Sequence, residues 1–302
     1  MVIGLSGGSD SVALTVILRE LAEHGGFDVV GLAHLNHRLR PAADRDEAFC
    51  RAFADAIHLP IVVESIDVAG YAAAQRMSRE DAARRLRYDF LHRAAVSTHA
   101  DRVAVGHTRD DQAETFLFKL VRGAGLTGLA AIHPQRGEVI RPLLETSRLE
   151  LRAFLESRAQ SWVDDETNDD IENPRNRIRH RVLPELNRAY PSAASAIART
   201  AGLMREDGQW LDDVGRSRYE TLVRRTPFGL QFDVSALLAE PASIRRRVVL
   251  MALRCAVPSH EYGLDHVDSV LAVASGESGG VDVPGARAEL RREKLVLLVH
   301  SA

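Results

Sequence analysis

The run Ser6-Gly7-Gly8-Ser9-Asp10-Ser11 constrains this chain more tightly than any other stretch. The apolar segment Val2-Ile3-Gly4-Leu5 precedes it, and an apolar-periodic segment begins at Val12. The local order is therefore strand, glycine turn, helix. Adjacent glycines let the backbone bend so sharply that successive N–H groups face one concavity. The helix start adds the positive end of its dipole, and the hydroxyls of Ser6, Ser9 and Ser11 add donors. Such a loop cradles a polyphosphate. It is not a Walker A loop, because no Gly-Lys-Ser/Thr follows, and it is not G-x-G-x-x-G. A glycine-serine turn in isolation reads as an ordinary turn; the flanking strand and helix favour phosphate binding.

The same alternation continues to about residue 107. Val29–Ala33, Pro60–Val63 and Arg102–Gly106 read as strands, and 44–58, 78–99 and 109–121 carry apolar positions at helical spacing. Strand–helix alternation predicts an α/β fold: a parallel twisted sheet with helices on both faces. Ligands of such sheets sit at the carboxyl ends of the strands. After about residue 145 the strand signal fades. Helices are expected at 147–158, 192–224, 243–256 and 263–274, with short strands at 281–283 and 295–298. The expected organisation is a body over 1–190, a helical linker over 191–224 and a smaller α+β C-terminal domain over 225–302.

Composition excludes more than it selects. Hydrophobic residues make up 45% and charged residues 27% of 302 positions, which is ordinary for a globular protein. No apolar run approaches a membrane span and no secretory signal is evident, so no membrane partner and a cytoplasmic location are expected. Cys50 and Cys255 stand far apart without a C-x-x-C, which argues against a disulfide framework, a zinc ribbon or an iron–sulfur site. The net charge of −3 does not advertise nucleic acid, but local clustering matters more than the total.

Five further constellations follow strand ends or basic runs. His34-Leu35-Asn36-His37-Arg38-Leu39-Arg40 reads either as a wall of a nucleotide pocket or as a solvated turn before Pro41. In Ser78 to Tyr88, Ser78 and Asp81 form a capping box, and Glu80 with Arg84 is spaced for a surface ion pair; alternatively Arg84 or Arg87 meets a phosphate. Gly106-His107-Thr108-Arg109-Asp110-Asp111-Gln112-Ala113-Glu114-Thr115 places three carboxylates within one helical turn. They either cap the helix or bind Mg²⁺ or an amine. Arg122-Gly123-Ala124-Gly125 is a glycine-rich loop. Finally, Arg175-Asn176-Arg177-Ile178-Arg179-His180-Arg181 is dense in guanidinium forks, which grip phosphates in bidentate fashion, unless it is a solvated helix face.

The loop S-G-G-x-D-S resembles the pyrophosphate loop of N-type ATP pyrophosphatases, the PP-loop superfamily. The wider ordered set is similar to the tRNA(Ile)-lysidine synthetase family. It comprises His34-x-Asn36-His37-x-x-Arg40, Gly106-His107-x-x-Asp110-Asp111-x-x-Glu114-Thr115, Arg122-Gly-x-Gly, and Asp165-x-Thr167-Asn168 with Arg175-Asn176-x-x-Arg179. The resemblance runs from residue 3 to about 190, is looser from about 225, and is to the shorter form of the family.

That resemblance implies ATP and Mg²⁺ as cofactors, free L-lysine as co-substrate and the CAU-anticodon isoleucine tRNA as partner. The implied reaction adenylates the C2 oxygen of the wobble cytidine, releases pyrophosphate, then lets the lysine ε-amine displace AMP. By position it assigns Ser6, Gly7, Gly8, Ser9, Asp10 and Ser11 to the ATP phosphates, with Asp10 assisting Mg²⁺. His34, Asn36, Arg87 and Gly106 would border the nucleotide. Arg84 would stabilise the α-phosphate, and Asp110, Asp111 and Glu114 would serve lysine and Mg²⁺. Arg122, Arg175, Asn176, Arg179 and Arg245 would touch tRNA, with the C-terminal domain gripping its backbone. A homodimer is an expectation from the resemblance alone. The rivals are a PP-loop tRNA thiolase, disfavoured by the lack of paired cysteines, and a non-catalytic tRNA-binding protein.

Overall fold

The computed structural model describes residues 1–38, 43–163, 174–227 and 229–299. The motif residues Arg40 and Asp165 to Asn168 lie outside the described residues. The chain divides into two compact units, Met1–Arg205 and Glu206–Ala302.

The first unit runs β1 (Val2–Gly4), α1 (Ser9–Ala22), β2 (Gly31–Asn36), α2 (Ala43–Ala56), β3 (Ile61–Ser65), α3 (Val68–Gln75), α4 (Arg79–Ser97) and β4 (Val103–Ala104). It continues through α5 (Arg109–Leu120), α6 (Leu126–Leu129), β5 (Gln135–Arg136), β6 (Val139–Ile140), α7 (Arg148–Ser157) and α8 (Pro174–Arg177). A π-helical turn, Ile178–Val182, leads to α9 (Leu183–Ala189) and to the start of α10 (Ala193–Leu222). The sheet order is β3-β2-β1-β4-β6-β5, parallel except for β5. Successive strand residues face opposite sides of a sheet, and β1 supplies both cores. Ile3 packs with Val12, Leu14, Phe53 and Leu151 on one face. Val2 packs with Phe90, Leu91 and Val103 on the other. Both residues are fully buried, so helices cover both faces as the alternation predicts.

This strand order creates a switch point. From β1 the chain winds outward to β2 and β3, then returns to place β4 on the other side of β1. The turns after β1 and β4 therefore lead away from each other and leave a crevice at their carboxyl ends. β2 extends to Asn36 rather than stopping at Ala33, because His34, Leu35 and Asn36 pair with Val63, Glu64 and Ser65 of β3. His34 and Asn36 thus sit on the strand itself. Ser78 caps α4 through the Asp81 amide, but the Glu80–Arg84 ion pair expected from spacing is not formed; Arg84 lies over the ring of Tyr88 instead.

The second unit contains the end of α10, then β7 (Val223–Thr226), β8 (Gly229–Asp233), α11 (Val234–Ala239), α12 (Ala242–Ala256) and α13 (Leu264–Ala274). The strands β9 (Gly280–Val283), β10 (Ala286–Arg291) and β11 (Lys294–Val299) complete an antiparallel sheet ordered β7-β8-β11-β10-β9. Its core joins Phe232, Leu237, Val248, Leu253, Val270, Leu295 and Leu297. Phe232 is fully buried on the central side of this sheet. Phe232→Ala is expected to destabilise the unit by about 3–5 kcal/mol, the usual cost of emptying a phenylalanine site. A lowered denaturation midpoint would register it, whereas an unchanged midpoint would contradict the packing.

Candidate active site

A cleft of about 1310 Å³ opens at the switch point. The glycine turn forms its floor. Gly7 takes φ +90°, a conformation that disfavours side chains, and a Cβ there would meet the Sγ of Cys50 at 3.3 Å. Ser11 Oγ donates to the Gly8 carbonyl at 3.0 Å and accepts from the Ser6 N–H at 3.1 Å, which closes the turn. Helix α1 begins after Gly8, which brings no capping side chain, so its amino end stays available to an anion. Across the crevice, a Cβ on Gly106 would lie 3.0 Å from the Asp10 carbonyl carbon and oxygen. Only a glycine lets the end of β4 approach the loop so closely.

The carboxylates gather where α1, α5 and α7 converge, and Arg148 holds them together. Its Nε donates to Asp10 Oδ2 at 3.0 Å and its Nη2 to Asp111 Oδ1 at 3.1 Å. Its Nη1 lies 3.7 Å from Glu114 Oε1, and its backbone N–H donates to Asp110 Oδ2 at 2.8 Å. Arg179 forks onto Glu114, Nε to Oε1 at 2.6 Å and Nη2 to Oε2 at 2.9 Å, and also reaches Asp111 at 3.2 Å. Arg175 donates to Thr115 Oγ1 at 2.9 Å. Asp111 also completes a capping box with Thr108, so capping and site-building are one arrangement here.

Burial and charge then set each group apart. Burial works against the charge on Asp111, yet Arg148, the Thr108 amide and Arg179 hold its carboxyl below the usual range. For Asp10 burial prevails over Arg148, and its carboxyl is raised. Burial also opposes the charge on Arg148, but Asp111, Asp10 and Glu114 keep it protonated. Four histidines line the cleft, and three of them are driven toward the neutral form. Burial, with Arg87 nearby, pushes His37 down to about 4, and burial does the same to His107. His34 is lowered by burial and hydrogen-bonds the Leu5 carbonyl through Nδ1 at 2.9 Å. Asn36 donates to Asp44 and Glu47 at 3.1 and 3.0 Å, which fixes the end of β2.

The cleft thus brings together Ser6, Gly8, Ser9, Asp10, Ser11, His34, Asn36, Arg87, Gly106, Asp110, Asp111 and Arg179. Gly7 shapes the loop from beneath, and Glu114, 1% exposed, stands behind Asp111. Arg84 does not line the cleft; it sits one turn before Tyr88, which does. Arg122 borders a separate apolar groove with Phe118 and Ile178. Asn176 lies in α8 between the two arginines. Arg245 belongs to the second unit, where it donates to the Leu238 carbonyl at 3.4 Å. Sequence reasoning missed Arg148 as a site residue. The signal was slight: a lone arginine after the Ser147 helix cap.

Among the described residues no group of three or more His, Cys, Asp or Glu is arranged to hold a metal ion by itself. A magnesium ion that arrives with a nucleotide needs only one or two protein carboxylates, the phosphates supplying the rest. Asp10 fits that demand. It is a hard oxygen donor beside the phosphate loop, and its raised carboxyl reports burial that nearby cations leave undercompensated.

The family described as a PP-loop domain matches residues 1–186. A tRNA(Ile)-lysidine synthase of Geobacter sulfurreducens is 41% identical over 291 residues, covering 94% of this chain and 61% of that protein. Another from Thermus thermophilus is 40% identical over 250 residues, covering 82% of this chain and 47% of that protein. The chain therefore spans about half to three fifths of the length of these curated relatives. Among solved structures, a U34-tRNA thiolase of Methanococcus maripaludis superposes with TM-score 0.55 at 18% identity. That match covers 68% of this chain and 71% of the thiolase, and likeness at that level shows a shared fold.

Removing the guanidinium that joins the carboxylates should be costly. Arg148→Ala is expected to destabilise the first unit by roughly 2–3 kcal/mol, somewhat less than for a fully buried ion pair because the cleft admits water. Arg148→Lys should recover only part of this, since an ammonium cannot reproduce the fork. Chemical denaturation of the three proteins reads the order; equal stability of all three would refute the network.

Proposed function

This chain belongs to the PP-loop domain family, and on that premise we propose that it ligates L-lysine to C2 of the wobble cytidine in the CAU-anticodon isoleucine tRNA. One observation carries the proposal: Asp10, Asp110 and Asp111 open into the same cleft as the glycine turn and the amino end of α1, which suits an amine beside a polyphosphate. The curated relatives named tRNA(Ile)-lysidine synthase support the choice of substrates.

The chemistry suits the residues. A pyrimidine C2 carbonyl is a poor electrophile, and transfer of the ATP adenylyl group to its oxygen makes that oxygen a leaving group, with pyrophosphate released. The glycine turn and the amino end of α1 would hold the phosphates. Arg87, from the cleft wall, would meet charge on the nucleotide, a role that Arg84, outside the cleft, does not share. Asp10 would hold Mg²⁺, which supplies charge neutralisation on the phosphates when bound. His34, Asn36 and Gly106 would border the adenosine.

The second step requires a neutral amine. With a pKa of about 10.4, only roughly 0.04% of free lysine ε-amine is neutral at pH 7. Asp110, Asp111 and Glu114 would draw the ammonium into the cleft and receive its proton as the amine attacks C2 and AMP departs. Arg148 and Arg179 hold those carboxylates pointed at one place and keep the Asp111 carboxyl below the usual range. The wobble base lies in a single-stranded loop, so displacing it into a pocket costs little. Arg122, Arg175, Asn176 and Arg245 would contact the tRNA, whereas Arg179, its fork engaged by Glu114 and Asp111, would position the carboxylates instead. The thiol beside the phosphate loop gives a thiolase reading no support, because burial pushes Cys50 up to about 12.

The test is incubation with ATP, Mg²⁺, labelled lysine and either the isoleucine or the methionine CAU tRNA. Label is expected in the isoleucine tRNA alone. Asp111→Asn and Glu114→Gln should each lower incorporation by about 10²-fold or more. Absence of label would overturn the lysine assignment, and undiminished incorporation by both variants would overturn the carboxylate roles.

A further inference from the structure

We propose that the face of the first unit built from Arg84, Lys119, Arg136 and Arg205 binds the phosphates of the RNA strand whose base enters the cleft. The proposal rests on the tRNA reading above and adds where the strand runs.

The four cations come from α4, α5, β5 and α10, which the sequence separates widely. A chain of contacts ties their surroundings to the cleft. Arg84 lies over the Tyr88 ring, 5.1 Å from its centre, and Tyr88 lines the cleft. The Tyr88 hydroxyl accepts from Arg141 Nη2 at 3.0 Å, and Arg141 Nη1 donates to the His133 carbonyl at 2.8 Å. Two residues earlier, the Ala131 carbonyl accepts from Lys119 Nζ at 3.1 Å. The face is thus continuous with the wall that carries Arg87 and Tyr88.

What distinguishes this face is missing neutralisation. Arg148 and Arg179 are locked to carboxylates, whereas Arg84, Arg136 and Arg205 have no carboxylate partner among the described residues. The cations also crowd one another. Burial, then Arg84, Arg136 and Arg175, lower the Lys119 amine. Burial, then Arg205, Lys119, Arg136 and Arg141, lower the His133 ring. Like charges gathered without counter-charge raise the free energy of the isolated fold, and an anionic ligand reverses that term. The overall charge of −3 makes this local excess a feature of placement rather than of composition. An RNA strand fits best. Its phosphates offer repeated charge along a line, guanidinium forks match them, and the adjoining cleft is where a splayed base would go.

The experiment measures affinity of the full chain for the CAU isoleucine tRNA across a salt series, beside ATP affinity without RNA. The variants are Arg136→Glu, the double Lys119→Gln/Arg136→Gln, and Arg136→Lys as the conservative control. At about 100 mM salt the double variant should bind RNA roughly tenfold more weakly, with the slope of log K on log salt shallower by about 1–2. Arg136→Glu should weaken binding in the same direction, Arg136→Lys should match the parent, and ATP affinity should stay unchanged throughout. Parent and variants binding tRNA with equal affinity and slope would overturn the phosphate face while leaving the tRNA reading intact. A parent that binds no tRNA would overturn both.

Discussion

A single guanidinium joins three segments of the first unit. Arg148 stands at the start of α7 and donates to Asp10 of α1 and Asp111 of α5, while its own backbone amide bonds Asp110. Without a cation there, three carboxylates would repel one another in a cleft where burial already disfavours their charge. With it, they stay close together and face the phosphate loop, and the Asp111 carboxyl is held below its usual range. Stability and chemistry therefore depend on the same contact. The arrangement is expensive to assemble, which is the expected mark of a functional site rather than of a core.

Two opposed electrostatic fields meet across the cleft. One wall is acidic and only partly neutralised: Arg148 and Arg179 pair with Asp10, Asp111 and Glu114, while Asp110 takes, among the described residues, only the Arg148 backbone N–H. The other, carrying Arg87 and leading to the arginine-rich face, has cations without matching carboxylates. Burial lowers His34, His37 and His107 between them, which favours neutral rings that hydrogen-bond without adding charge. A reaction joining an amine to a polyanion needs this separation. In the proposed reaction the amine would be drawn to one side and the phosphates to the other.

Much of this was legible in the sequence, for definite reasons. The glycine turn identified itself because few folds place S-G-G-x-D-S between an apolar strand and a helix. The parallel sheet followed from alternation, and Asp110 to Glu114 from their spacing on one helical turn. Other elements were hidden by chemistry or brevity. β5 and β6 have two residues each, and pairing with the sheet rather than composition makes them strands. β10 reads Ala-Arg-Ala-Glu-Leu-Arg, in which the inward residues at its start are small alanines with no β-propensity of their own. Arg148 was invisible because its partners lie 138 and 37 residues away. Arg84 illustrates the converse: helical spacing offered Glu80 as a partner, and the tertiary fold supplied Tyr88 instead.

The central claim is that the cleft activates the RNA base and reserves the carboxylates for the amine. Exchange of labelled pyrophosphate into ATP tests it most directly, with tRNA and lysine supplied separately and together. The account predicts exchange that requires the isoleucine tRNA and proceeds without lysine. Exchange driven by lysine in the absence of tRNA would mean that the amino acid is adenylated instead, and would contradict the account.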